Sequence, residues 1–316
     1  MRLGTSPSPA AVPRAAPATG PAASHQPGRW GGTALMLGSG LSNQTGASIA
    51  ALAFPVLGPV GVVAVRQWVA AVALGVLGRP RLRHFTARQW RLVLGLALVF
   101  AGMNLSLYSA IDRIGLGLAV TLEFLGPLAV ALAGSRRRLD LLCAAAATGA
   151  VVVLMRPSSS TDYLGMALGL LAAVCWGCYI LLNRAVGSQL PGVEGTAAAA
   201  GVSGALYLPV GGWVLWQHPP TAAALGCALA AGVLSSAVPF LADLLALRRI
   251  PAHLFGVFMS VNPVFAALAG LVVLGQRLDM LAWFSIAVIV AANTAALVAA
   301  PRPAAQERAP STDVVP

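Results

Sequence analysis

The stretch R-I-G-L-G-L-A-V-T-L-E-F-L-G-P-L-A-V-A-L-A-G at 113–134 decides the fold when set against R-I-P-A-H-L-F-G-V-F-M-S-V-N-P-V-F-A-A-L-A-G at 249–270. A shift of 136 residues aligns them without a gap and pairs Arg113-Ile114 with Arg249-Ile250 and Pro127 with Pro263. Five of the eight positions from 127 to 134 are identical to their mates. Alanine-rich segments match by chance, so the paired Arg-Ile and the paired proline carry the comparison. A helix needs roughly 20 apolar residues to cross a hydrocarbon core of about 30 Å, and these runs have that character.

The rest of the chain continues the pattern. Of 316 residues, 58% are hydrophobic and 9% charged, and the mean hydropathy is +0.81. A soluble domain has about 45–50% apolar and about 25% charged residues. Too few charged side chains are present to cover a soluble fold, a coiled coil or a disordered chain, and four cysteines make no disulfide scaffold. Ten apolar stretches follow one another at about 32–53, 58–77, 91–110, 115–134, 139–155, 163–183, 195–215, 222–245, 252–274 and 280–299. Short connections leave no room for a soluble catalytic domain. The expected fold class is an all-α membrane protein of ten transmembrane helices. Residues 1–31 and 300–316, rich in Pro, Ala and Ser, read as disordered cytoplasmic tails.

The formal charge of +11 comes from 20 Arg, no Lys and 9 acidic residues. The arginines sit in loops between apolar runs, with no basic helix or RNA motif, so nucleic acid is not an expected partner. With the N-terminus inside, 16 arginines fall in inner segments and three (Arg113, Arg156 and Arg277) in outer loops, leaving Arg66 inside the second helix. This bias predicts cytoplasmic termini. The 136-residue shift divides the chain into five-helix halves at 32–155 and 163–299. An odd number of helices per half makes the repeat inverted. Inverted repeats serve alternating access, with the binding site near the midplane between the halves.

Several motifs then carry a family resemblance. They are Q-T-G-A-S-I-A (44–50), F-P-V-L-G-P-V-G (54–61), Arg66, M-N-L-S-L-Y (103–108), L-E-F-L-G-P-L-A-V-A-L (122–132), R-I-P (249–251) and F-M-S-V-N-P (258–263). From 32 to 299 the chain resembles the ten-helix, EamA-type form of the drug/metabolite transporter superfamily, and within it bacterial threonine/homoserine exporters. The resemblance implies a secondary transporter of the bacterial inner membrane that exports small metabolites such as amino acids. Protons are the expected coupling ion, and no cofactor or metal is expected. The similar exporters carry Glu where this chain has Asn262, and L-G-E where it reads L-G-Q at Gln276. They also carry Glu at the position of Asp243.

Ionisable groups inside a bilayer cost about 2.5–3.5 kcal/mol each on the insertion scale, so each needs a reason. Apart from Arg91, Asp140 and His253, each within one residue of a span end, Arg66, Glu123 and Asp243 are the ones inside the assigned spans. Arg66 and Glu123 lie at matching depth, with Gln44 at a similar level. They are expected either to face each other or a shared aqueous cavity, holding the carboxylate and ammonium of a zwitterion, or to form a structural ion pair that locks helices together; Glu123 is also a candidate coupling site that releases a proton when substrate binds. Asn104 and Tyr108 at i and i+4, and Trp176, Tyr179 and Asn183 at i, i+3 and i+7, mark two helix faces suited to a cavity wall. Pro127, Pro239 and Pro263 lack the N–H that would bond the carbonyls of Glu123, Ser235 and Met259, and freed carbonyls are tolerated where they line a cavity or find a local partner. Gly165 and Gly169 predict a close helix contact.

Two other readings compete. Efflux of amphipathic drugs or dyes wants a larger, more aromatic site than 6% aromatic residues suggests. An intramembrane thiol oxidoreductase would use Cys175 and Cys178, although their C-W-G-C run lies inside a helical span. No Ser-His-Asp or metal-ligand cluster is visible in the sequence.

Overall fold

The computed structural model describes residues 27–133, 138–154, 162–191, 193–247 and 258–299, and these are almost wholly helical. In chain order the helices are α1 (Pro27–Ala51), α2 (Phe54–Gly78), α3 (Ala87–Ile114), α4 (Leu116–Glu123), α5 (Leu125–Leu132) and α6 (Arg138–Leu154). There follow α7 (Tyr163–Gly187), α8 (Glu194–Gln217), α9 (Ala222–Gly232), α10 (Val238–Leu247), α11 (Asn262–Leu274) and α12 (Met280–Ala299). The pair α4–α5 makes one span, as does α9–α10 through a π-turn at Val233–Ala237, giving ten. Among the described residues, five helical stretches are individually long and apolar enough to cross a membrane: α2, α3, α7, α8 and Ala222–Ala242.

The sequence places some ends wrongly. Helix α1 begins at Pro27 rather than 32, because proline at a first helical position is preset for the turn it starts. Helix α3 begins four residues early, where Thr86 and Gln89 form a reciprocal capping box. The expected continuous span 115–134 is interrupted at Phe124.

The 136-residue shift reappears in space. It carries 27–51 onto 163–187, so α1 maps onto α7 end to end. It carries α3 onto α9, the π-turn and α10, and the break at Phe124 onto the turn at Ser260. Where α2 crosses α8, Gln67 Nε2 donates to Ser203 Oγ at 2.7 Å and Trp68 Nε1 to the Gly204 carbonyl at 3.1 Å. Each of these residues meets its own mate, as a two-fold relation between the halves requires. Gly211 makes the crossing possible, since a Cβ there would lie 2.5 Å from that of Ala64.

The core is unequal across the membrane. Toward the face with few arginines, Phe54, Leu57, Ile111, Leu116 and Ala266 belong to one continuous apolar cluster. Arg113 Nε pairs there with Asp162 at 2.9 Å, tying α3 to α7. Gln276 Oε1 accepts from the Leu116 N–H at 2.9 Å and so caps α4 from the end of α11. Toward the opposite face, where Arg79, Arg81, Arg83, Arg88 and Arg91 are exposed, the apolar residues divide into small clusters around Val93, Leu74 and Met36 and a larger, separate one that joins Leu128, Cys143 and Ala296.

Candidate functional site

Two proline breaks, at Pro239 and Pro263, explain how the site is built. In the π-turn, the Val238 N–H bonds the Val233 carbonyl, five residues back. The same register would give the Leu234 carbonyl to residue 239, which is proline, and an α register would give it the Ser235 carbonyl. Both carbonyls are therefore free, and both are taken from other helices. Ser42 Oγ donates to the Leu234 carbonyl at 2.8 Å, and Arg66 Nη2 donates to the Ser235 carbonyl at 3.1 Å. Ser235 Oγ completes the knot by donating to the Asn43 carbonyl at 2.9 Å. Gly46 is required beside it, because a Cβ there would lie 2.3 Å from Ser235 Oγ. In the mirrored helix, Asn262 Nδ2 satisfies the Met259 carbonyl that Pro263 leaves open, at 3.0 Å.

Eight of the side chains singled out in the sequence line one cavity of about 280 Å³: Gln44, Arg66, Asn104, Tyr108, Glu123, Trp176, Tyr179 and Asn262. Pro239 lines it too, whereas Pro127 and Pro263 are absent from its described lining. Asn183, expected on the face of Trp176 and Tyr179, is instead an acceptor for Thr196 Oγ1 at 3.1 Å. Seven residues along α7 the face has drifted off the cavity. Asp243 belongs to α10, and its side chain lies outside the described residues.

Arg66 is held by neutral groups. Its Nη1 donates to Asn104 Oδ1, its Nη2 to the Ser235 carbonyl, and its guanidinium carbon lies 4.9 Å from the Tyr108 ring centre. Its buried Nε has no hydrogen-bond partner. Glu123 is 6% exposed and lines the same cavity, yet makes no hydrogen bond or ion pair among the described residues. Gln44, 3% exposed, likewise has no side-chain hydrogen bond there. Of the two arrangements expected for Arg66 and Glu123, the structure has the shared cavity rather than a direct pair. The ion pairs among the described residues are Arg81–Glu194 and Arg113–Asp162. At the membrane edge, the Gly165 N–H and then Arg113 hold the Asp162 carboxyl below its usual range.

Cys175 and Cys178 are free thiols on α7, the first half-buried and the second exposed. Gly165 and Gly169 let α7 close on Ile114 and Leu122, as their spacing predicted.

Residues 163–297 match the EamA-like transporter family. The threonine/homoserine exporter RhtA of Salmonella typhimurium strain LT2 is 35% identical over 259 residues, which is 80% of this chain and 86% of that protein. The exporter of the same name from Escherichia coli K12 is 33% identical over 271 residues, 84% of this chain and 90% of its own. The chain belongs to the EamA-like transporter family. A crystal structure of another protein, 20% identical, superposes with a TM-score of 0.55 over 87% of this chain and 100% of that one, a likeness of fold. This EamA-like transporter is accordingly a multi-pass membrane protein of the drug/metabolite transporter superfamily.

Sequence reasoning missed several lining residues of the transporter. Phe100 lies one helical turn before Asn104 and two before Tyr108, so the spacing already contained it. Ser39 and Asn43, at i and i+4 on α1, were equally legible. Thr196 was not, being a lone polar residue near the start of α8.

Proposed function

We propose that this transporter exports small α-amino acids across the bacterial inner membrane in exchange for protons, with both termini in the cytoplasm. One observation carries the reading: a fixed cation and an unpartnered carboxylate share one buried cavity. Among the described residues Arg66 hydrogen-bonds only to neutral groups, so its charge is available to a substrate carboxylate. Glu123 has no hydrogen-bond partner among the described residues, so it is available to a substrate ammonium or to a proton. A zwitterion satisfies both at once. Departure of the amino acid leaves a buried carboxylate that a proton neutralises, and the next substrate expels that proton. The amino-acid class follows from the likeness to threonine/homoserine exporters.

The polarity of the core supports loading from the cytoplasm. The cavity lining extends to Thr196, near the start of α8, and to Leu74, near the end of α2, both toward the arginine-rich face. The continuous cluster around Leu57 and Ile111 closes the other side. Mate-to-mate contacts between α2 and α8 are consistent with inverted halves rocking about that seam.

Purified protein in liposomes with an imposed pH gradient tests the reading. Labelled threonine or homoserine should move against the proton gradient. Glu123→Gln should abolish pH-driven flux, and Arg66→Ala should weaken substrate binding by about 30-fold or more, the cost of truncating one partner of a buried charge contact. Full coupling in the Glu123→Gln protein would remove Glu123 from the mechanism.

A further inference from the structure

At four mated positions the two halves contribute opposite chemistry to the cavity, whereas Phe100 of the first half is mated with Ser236 of the second. The 136-residue shift pairs Gly40 with Trp176, Asn43 with Tyr179, Asn104 with Phe240 and Glu123 with Met259, and all eight line the void. In each pair the first half supplies a small, polar or charged residue, and the second an aromatic or apolar one. Six of the 28 described lining residues are aromatic, against 20 of 316 in the whole chain. The low overall aromatic content therefore hides a concentration at one place.

Four of these rings form two touching pairs along one wall. Trp176 and Tyr179 stand one turn apart on α7. Trp176 meets Phe124 edge to face, with ring centres 4.6 Å apart and an interplanar angle of 89°. Tyr179 meets Phe100 at 6.0 Å. Phe124 adjoins Glu123 in the chain and Phe100 stands one turn from Asn104, so the wall begins where the charged groups end. Ring pairs of this kind are fixed in orientation and offer a further ring a preferred geometry, beyond the area it buries. A cavity of about 280 Å³ lies at the lower edge of the roughly 300–1,000 Å³ typical of small-molecule sites. That suits one ring joined to a small head group rather than a polycyclic dye, and the buried Arg66 disfavours cationic dyes.

We propose that the wall of Phe100, Phe124, Trp176 and Tyr179 is a side-chain subsite for aromatic α-amino acids, which this transporter binds more tightly than threonine. The inference rests on the amino-acid reading given above, with the substrate's zwitterionic head at Arg66 and Glu123.

Counterflow in liposomes containing the full-length protein separates the two. Labelled threonine is exchanged while unlabelled L-phenylalanine or L-threonine competes. Phenylalanine should inhibit at a concentration about tenfold or more below that of threonine. Trp176→Ala should abolish that advantage, weakening competition by phenylalanine about tenfold more than it weakens threonine exchange, and Phe100→Leu should reduce it in the same direction if the first variant fails to reach the membrane. Threonine competing better than phenylalanine, or variants that weaken both equally, would overturn the subsite and leave the amino-acid reading standing. No exchange of either amino acid by the wild type overturns both.

Discussion

Helix α3 and the span that the 136-residue shift pairs with it, α9–π-turn–α10, differ in what their backbones do. Helix α3 is unbroken for 28 residues and is fixed at its start by a capping box. Its mate is divided by five residues of π-turn. The decisive position is Met103 in the first copy and Pro239 in the second, 136 residues on. Methionine keeps its N–H in the helix. Proline has none, and the two carbonyls it strands are taken up by Ser42 and by Arg66. One copy thus stays a rigid post, and the other gives up its own bonding to hold the cation of the cavity. The lesson is that a repeat supplies the frame, while single substitutions at mated positions make the site.

The comparison can be broken from either side. Met103→Pro would put the missing N–H into the rigid copy, where no side chain waits for the freed carbonyl. About 3 kcal/mol of stability should be lost, read as a lowered thermal unfolding midpoint in detergent. An unfolding midpoint equal to that of wild type would mean that α3 is no more rigid than its mate. Pro239→Met makes the reverse change. The Ser235 carbonyl then has a partner within its own helix, and Arg66 loses a charge-assisted bond worth about 1.5–3 kcal/mol. Transport of threonine should fall by about tenfold or more without loss of folding. Undiminished flux would show that the carbonyl does not hold Arg66 for function.

A smaller effect sharpens the contrast between the sealed face and the open one. Asp162 is depressed chiefly by the Gly165 N–H and then by Arg113, so its stabilising contribution exists above the unfolded-state value. It is lost as pH falls through the depressed folded value. Asp162→Asn should flatten the acid limb of the unfolding midpoint between those two points, and an unchanged limb would show that the contact does not titrate with folding.

Much of the site was legible because bilayers make polar residues conspicuous. Arg66, Glu123, Gln44 and Asn262 stood out for the cost of burying them, and the freed Ser235 carbonyl followed from Pro239 alone. The aromatic wall was legible only in part: Trp176 and Tyr179 stood out on α7 and the spacing on α3 contained Phe100, but not Phe124 or the meeting of the rings. A count over the whole chain dilutes four rings that come from three different spans. The break at Phe124 was missed for a related reason, since an apolar run reads the same with or without one interrupted turn.

By itself the sequence determined the membrane class and the ten spans and pointed to a two-fold repeat, since apolar length, arginine bias and the 136-residue shift are properties of the chain read in order. Tertiary structure alone decided that Arg66 would turn to Asn104 and Ser235 instead of Glu123, and that one face would close while the cavity reached toward the other. Those outcomes depend on which carbonyls are left without partners once helices distant in sequence are packed together, and no local pattern records that.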